Sequence, residues 1–478
     1  MTKLIASRQV ACGSGESGHH VAPAAILIDG SRIREVRQLS AAGFEDELAA
    51  WGAEIGTTAS SFGDRLITPA FVNPHTHLSL GFLRGFTERE VLEGNMVRQL
   101  YFEIESRLEP EDVLAFSRMG AYESLLQGVG LVWDHYYHGA AIVEALCDTG
   151  LSGVVAPTLQ DISGPGMAQS RQQIAATLEI VGSADLGERG IFAALGPHAT
   201  DTASGELWRE AAEIAESHTL PIHAHLAQSI EEYRFSVQRR GATPLRWLVS
   251  LGVLERVPRW VFAHCLFASR PELALLDPDR VLLIFCPHSQ LVFAFPADPL
   301  SFSEAGLPWA VATDCSPSND SMNLQKELRY VAGQRSMGTT WSSDYRRFLA
   351  EGAQRDAESS WSTRGEHFGR AADLAEPERL LDRVWRIPGE GHPAFRAGVL
   401  EERALANLLV WDLEHPAFWP ERPGLNALAM GDTTQAIHAM YVAGRLIGEA
   451  GDFHRSLLES DDYRRSLEQA TKRRRALL

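Results

Sequence analysis

The sequence is short of positive charge. Lysine and arginine together number 44 against 62 aspartates and glutamates, a formal net charge of -18, and no block of basic residues argues otherwise. A surface that tracks phosphates is therefore not expected, and nucleic acid drops out as a partner. Long apolar runs are missing as well. The N-terminal MTKLIASRQVACGSG lacks the hydrophobic stretch of a secretory signal, and no later segment reaches the roughly 20 apolar residues that span a bilayer. The expectation is a soluble cytoplasmic protein with no membrane partner. Cysteine is scarce and unpatterned: Cys12, Cys147, Cys265, Cys286 and Cys315 are odd in number and never spaced C-x-x-C. That argues against a disulfide framework and against a thiolate metal site.

What is present is ordinary globular composition, 45% hydrophobic and 22% charged over 478 residues. This is enough for a large core with a smaller companion domain. Between residues 66 and 316 eight short apolar runs each end in polar residues, most of them separated by segments of helical period. They end at NPHTHL (73–78), VWDHYYH (132–138), VVAPTLQD (154–161), FAALGPHAT (192–200), PIHAHLAQ (221–228), VFAHCLF (261–267), LLIFCPHS (282–289) and AVATDCS (310–316). Eight strands alternating with helices predict an α/β fold, a (β/α)8 TIM-type barrel spanning 67–394, with the polar ends of the strands gathered on its catalytic face. Residues 1–66 and 395–449 read as strand-like pieces that pair into a small β-sandwich drawn from both chain ends. Residues 450–478 read as a charged helix, solvated or facing another subunit.

Arg65 to Val72 reads as one strand leading into NPHTHL. Alternate side chains of a strand share a face, so His75 and His77 aim the same way. Two imidazoles do not close a metal site, but PIHAHLAQ adds His225 and ATDCS adds Asp314 at other strand ends. A catalytic divalent metal takes about three or four ligands from histidine and carboxylate and keeps a position open for water. His75, His77, His225 and Asp314 fit that requirement. One ion per subunit is expected, zinc foremost, with iron, cobalt or manganese equally suited by the ligand types. His223 lies one layer deeper than His225 and is expected to be a hydrogen-bonded core residue. His135 and His138 are expected to serve loop structure. Phe82, Phe86 and Trp133, near strand ends, are candidates to line an apolar substrate pocket, with core packing the competing role for each.

The ordered set TPAFVNPHTHLSL, GPHAT, PIHAHLAQS, AHCLF, CPHSQ and ATDCSPSND resembles the amidohydrolase superfamily over nearly the whole chain. The likeness is to its cytosine deaminase and triazine hydrolase-like branch, and more narrowly to the bacterial phenylurea and molinate hydrolases. The resemblance implies the same four metal ligands, His264 against the substrate or the attacking water, and His198 against the substrate. His288, on the neighbouring strand end, is read as a further substrate contact. Homo-oligomers are common in the family, and one is expected here.

Two departures shape the expected chemistry. Lysine occurs only at positions 3, 326 and 472, so none stands at the fourth strand end to be carboxylated and bridge two metals, as dinuclear relatives require. Deaminating relatives carry HxxE after the fifth strand, where this chain has Gln228, and an amide has no proton to exchange near neutral pH. Asp314, His264 and Gln228 as catalytic groups then predict hydrolysis of a urea, carbamate or amide bond in a small apolar substrate, such as an aryl urea xenobiotic. The alternative is an aminohydrolase or chlorohydrolase of an N-heterocycle that uses another acid. A barrel that only binds ligand is the third possibility.

Overall fold

The computed structural model describes residues 2–13, 18–85, 100–293, 295, 298–334, 343–352, 354–355, 374–420 and 424–478. Strands β1 (Thr2–Cys12), β2 (His20–Asp29), β3 (Arg32–Gln38), β4 (Ala59–Ser61) and β5 (Leu66–Pro69) open the chain. The middle supplies β6 (Phe71–Thr76), β7 (Val129–Tyr136), β8 (Ser152–Leu159), β9 (Ile191–Ala193), β10 (Gly196–Pro197), β11 (Pro221–Leu226), β12 (Arg259–His264), β13 (Val281–Phe285) and β14 (Trp309–Val311). Near the other end come β15 (Leu408–Trp411), β16 (Ile437–Val442) and β17 (Arg445–Ile447).

The terminal strands form one sheet, ordered β17-β16-β15-β5-β1-β2-β3, with β4 alongside β1. Its centre is the antiparallel pair β5 and β15, so both parts of the chain build one layer. The run expected as a single strand from Arg65 to Val72 is therefore two. Pro69 has no N–H to continue a ladder, and within two residues the backbone changes partners. Ala70 N–H donates to the Asn407 carbonyl, whereas Phe71 N–H donates to that of Gly128.

The middle strands pair in parallel as two arcs, one of β6, β7 and β8 with the broken stave β9 and β10, the other β11-β12-β13-β14. Parallel bridges join the arcs at both edges, Leu195 with Ile222 and Thr76 with Asp314. The second seam is tied by Asp314 N–H to the His75 carbonyl at 3.2 Å. Strand parity then sorts the apolar residues. Val72, Leu131, Trp133, Val154, Ala156, Val261, Ala263 and Ile284 fill the interior, while Val132, Val155, Phe262 and Leu283 face the surrounding helices. Both faces are covered, which is why these strands read as nearly unbroken apolar runs.

The helix Pro110–Leu126 packs on the short segment Leu78–Leu83 that follows His77. At Gly120 the contact is so close that a Cβ would stand 2.4 Å from the Leu78 carbonyl oxygen. The C-terminal helix Asp461–Leu477, expected to be solvated or oligomer-facing, docks on that same helix. Arg473 pairs with Asp112 at 2.8 Å, Arg118 donates to the Gln469 side chain at 3.0 Å, and Arg474 Nε donates to the Phe82 carbonyl at 2.7 Å. Only Ser466 and Ala470 of this helix are buried. The docking is mixed: beside these polar pairs, the Tyr463 ring meets that of Tyr122 edge-on at 5.2 Å and Leu477 packs against the core. Among the described residues no helix is long and apolar enough to cross a membrane.

Candidate metal centre

The strand ends converge on one buried cluster. His75 lies in β6, His77 one residue beyond it, His225 in β11, His264 at the end of β12 and Asp314 just past β14. Ligand atoms of His75, His77 and His225 lie within 4.8 Å of one another, and so do those of His75, His264 and Asp314. Asp314 Oδ1 stands 3.6 Å from His75 Nε2 and 3.4 Å from His77 Nε2, and Oδ2 accepts from the Ser289 hydroxyl at 2.6 Å.

The outer nitrogens of the rings are already engaged. His77 Nδ1 meets the His135 carbonyl at 2.5 Å, and His225 Nδ1 meets the His198 carbonyl at 3.0 Å. A carbonyl only accepts, so each Nδ1 carries the proton and each Nε2 keeps a lone pair for the centre. His75 Nδ1 contacts His223 Nε2 at 2.9 Å, the core role expected of His223, while His75 Nε2 is buried with no hydrogen-bond partner among the described residues. A buried nitrogen left open beside two lone pairs and a carboxylate fits one divalent metal ion. The electrostatics agree. Burial penalises the Asp314 charge, yet His75 and His77 hold its carboxyl well below the usual range. Burial also works against charge on His77, yet Asp314 raises that imidazole's value. The carboxylate and the imidazole thus favour each other's charged form, the electrostatic setting of a cation site. Burial lowers His75 and His225, and pushes His264 down to about 4.

Backbone strain marks the same places. Ala227, His264 and Asp314 hold φ at +48°, +77° and +61°, just past or at the ends of β11, β12 and β14. Non-glycine residues accept this at a cost of about 1–3 kcal/mol each, and such strain concentrates at functional sites.

Above the cluster lies a cavity lined by His77, His225, His264 and Asp314, with His198 and Gln228 on its wall as expected for substrate contacts. His198 Nδ1 contacts the Thr202 hydroxyl at 2.9 Å. The other expected contacts fall elsewhere. Trp133 points into the barrel beneath the cluster, edge-on to His223 at 5.6 Å, because its parity is that of the interior. Phe82 turns to the helix Pro110–Leu126 and stacks on Phe116 at 4.6 Å. His288 stacks on Tyr330 at 4.8 Å and its ring contacts Asn319, away from the cavity wall. Phe86 lies outside the described residues.

His135 corrects the loop assignment in the other direction. Strand β7 runs on through it, so Leu131, Trp133 and His135 share the inward parity, and that alternation was the available signal. Its ring lies 5.0 Å from that of His225 and lines the cavity; Nδ1 contacts the His223 carbonyl and Nε2 has no hydrogen-bond partner among the described residues. His138 is structural, preceding the helix Gly139–Thr149.

The sequence reading missed most of the wall. Tyr101, Phe102, Tyr136, Tyr137, Phe293 and Phe295 supply aromatic surface, and Glu105 supplies a carboxyl pushed up to about 7, chiefly by burial. Another buried carboxylate, Glu232, laces the rim from behind. It accepts from Thr200 Oγ1 at 2.6 Å and from Gln228 N–H at 2.8 Å. Cys265 and Cys315 are buried thiols raised well above the ordinary range, too poor in thiolate to be nucleophiles.

Comparison with known proteins agrees with this geometry. A 5-methylthioadenosine/S-adenosylhomocysteine deaminase of Natronomonas pharaonis is 27% identical over 408 residues, 83% of this chain and 85% of its own. The fold is shared with a zinc-bound adenosine deaminase of Xanthomonas campestris, at TM-score 0.76 and 20% identity, covering 99% of this chain and 98% of that one. It is also shared with an atrazine chlorohydrolase of Arthrobacter aurescens TC1 complexed with zinc, at TM-score 0.73 and 21% identity, covering 99% of both chains. The sequence pattern of the amidohydrolase family matches residues 66–345, more than half of the chain. This chain belongs to the amidohydrolase family, as a hydrolase of carbon–nitrogen bonds other than peptide bonds.

Proposed function

We propose that the protein is a zinc-dependent aminohydrolase that releases ammonia from an amino-substituted N-heterocycle of the adenosine type. The observation that carries this reading is the likeness over 408 residues to a methylthioadenosine/S-adenosylhomocysteine deaminase. The site supports it: six aromatic side chains line the cavity above the metal ligands, and planar rings suit stacking on a heteroaromatic base.

His75, His77, His225 and Asp314 would hold the ion, which when bound would supply Lewis acidity to activate water for attack. Asp314 takes the proton of the attacking water and passes it to the leaving nitrogen. His264 orients the reacting atoms from the β12 side. Gln228 donates a hydrogen bond from its amide but exchanges no proton. The transfer to the ring falls to Glu105, a buried carboxyl on the same wall.

One observation favours a second reading. Gln228, which cannot shuttle a proton, suits cleavage of a urea or carbamate, where no ring nitrogen must be protonated. Product analysis separates the two. The zinc-loaded protein is incubated with 5'-deoxyadenosine, methylthioadenosine, aminated triazines, aryl ureas and carbamates. Ammonia from the heterocycles supports deamination; arylamine from the ureas without ammonia from any heterocycle replaces it with the second reading.

A further inference from the structure

We propose that Gln290 fixes the tautomer of His264, so that His264 acts as an Nε2–H donor toward the reacting atoms and stays out of the metal's ligand set. This rests on the metal reading of the site but not on the identity of the substrate.

Gln290 Nε2 lies 3.2 Å from His264 Nδ1, and both side chains are buried. An amide nitrogen donates and has no lone pair with which to accept. The contact is therefore a hydrogen bond only if Nδ1 is the acceptor, and a neutral imidazole then carries its single proton on Nε2. His77 and His225 are arranged the opposite way, with Nδ1 against a carbonyl and the lone pair on Nε2. The cluster thus contains imidazoles of two kinds, ligands facing inward with lone pairs and one donor. On this reading the tautomer, not distance, sets His264 apart from the ligands, since it lies as near to His75 and Asp314 as a ligand would.

Gln290 does not act in isolation. It follows Ser289 on the short helix Pro287–Val292, and Ser289 donates to Asp314 Oδ2 at 2.6 Å. Consecutive residues of one turn therefore orient the two groups proposed to handle the attacking water. Gln290 is a positioning residue, because its amide acts through His264. With amide oxygen and nitrogen exchanged, the oxygen would accept from Nδ1–H and His264 Nε2 would become a fifth ligand. The two arrangements predict opposite effects on metal binding.

The experiment uses full-length protein and the variants Gln290→Leu, Gln290→Glu and His264→Ala. Zinc stoichiometry and Kd are measured by competition with a chromophoric chelator, alongside kcat, KM and the melting temperature. Leucine removes the donor without adding charge. For Gln290→Leu the expected result is a zinc Kd within about twofold of wild type and a kcat about tenfold lower at similar KM, the scale of losses when such outer partners are removed. Gln290→Glu should pull the proton onto Nδ1, expose the Nε2 lone pair, tighten zinc binding and lower kcat. His264→Ala should keep one zinc. The wild-type Kd tests the metal site itself, and the shifts among variants test Gln290. A zinc Kd weakened about tenfold or more in both Gln290→Leu and His264→Ala, with melting unchanged, would overturn the assignment, as would a wild-type kcat in Gln290→Leu.

Discussion

Gly120→Ala is a one-methyl change on a helix that touches no substrate, yet it should damage the metal centre more than the fold. The added Cβ would lie 2.4 Å from the Leu78 carbonyl oxygen and 3.0 Å from the Leu78 Cα and carbonyl carbon, where ordinary contact begins at 3.4 Å. A backbone carbonyl cannot swing aside as a flexible side chain can, so the helix and the turn must part by roughly 1 Å, at an overpacking cost of about 1–3 kcal/mol. Alanine returns about 1 kcal/mol of helix propensity, leaving a net loss of roughly 0–2 kcal/mol and a drop in melting temperature of at most a few degrees. The displacement falls on the residue after His77. Leu78 N–H is also anchored to the buried Asp134 carboxylate at 2.7 Å, which gives the turn little room to yield. A shift of about 1 Å at a reacting centre costs up to about 100-fold in rate. The expected signature is weaker zinc binding and a large fall in ammonia release with nearly unchanged melting. Gly182→Ala, where an added Cβ meets nothing within 4 Å, serves as the neutral control. Wild-type zinc affinity and turnover in Gly120→Ala would refute the argument that this contact sets the position of His77.

Four other outcomes follow from the site. His77→Ala should lose the bound metal and nearly all turnover, read by elemental analysis; a variant that keeps both would remove His77 from the ligand set. Gln228→Glu should retain zinc and raise ammonia release from amino-heterocycles about tenfold or more by restoring an exchangeable proton, and an unchanged rate on every substrate would place Gln228 outside the chemistry. Glu105→Gln should cost about 100-fold in kcat while preserving the melting temperature; wild-type turnover would return the proton transfer to another group. Glu327, buried behind Asp314, is pushed up to about 8 from an ordinary 4.5. The folded chain then binds more protons than the unfolded one between those values, so this group's stabilisation, full below about 4.5, is lost as pH rises toward 8. The melting-temperature gap between Glu327→Gln and wild type should move in the variant's favour from pH 5 to pH 8, and a constant gap would contradict the assignment.

The barrel and most of the side chains proposed as metal ligands were legible because strand chemistry is local. An apolar run with a period of two, ending in histidine or aspartate, states both where a strand lies and which way its last side chains point. His75, His77 and His225, three of the proposed ligands, follow from that rule, whereas Asp314 stands three residues beyond β14 at positive φ, where strand parity no longer sets its direction. His135 obeyed the same rule and was missed because its polar neighbours read as a loop. The aromatic wall was not legible for a different reason. Tyr101, Phe102 and Glu105 come from the stretch between the first two barrel strands, and Phe293 and Phe295 follow β13. No periodicity in those stretches relates them to the mouth. Trp133 and Phe82 took the competing core role: an aromatic residue near a strand end is as easily turned to the core as to the cavity. The break at Pro69 and the docking of the last helix depend on partners hundreds of residues away.

The first and last staves of the ring meet where the Asp314 N–H reaches the His75 carbonyl, and the side chains of these same two residues belong to the proposed coordination shell. An ion held by these side chains would act as a clasp on the circle. Each tenfold rise in free metal above its dissociation constant then adds about 1.4 kcal/mol to the closed form. The stability of this hydrolase, its resistance to proteases included, would thereby follow the free concentration of the cation.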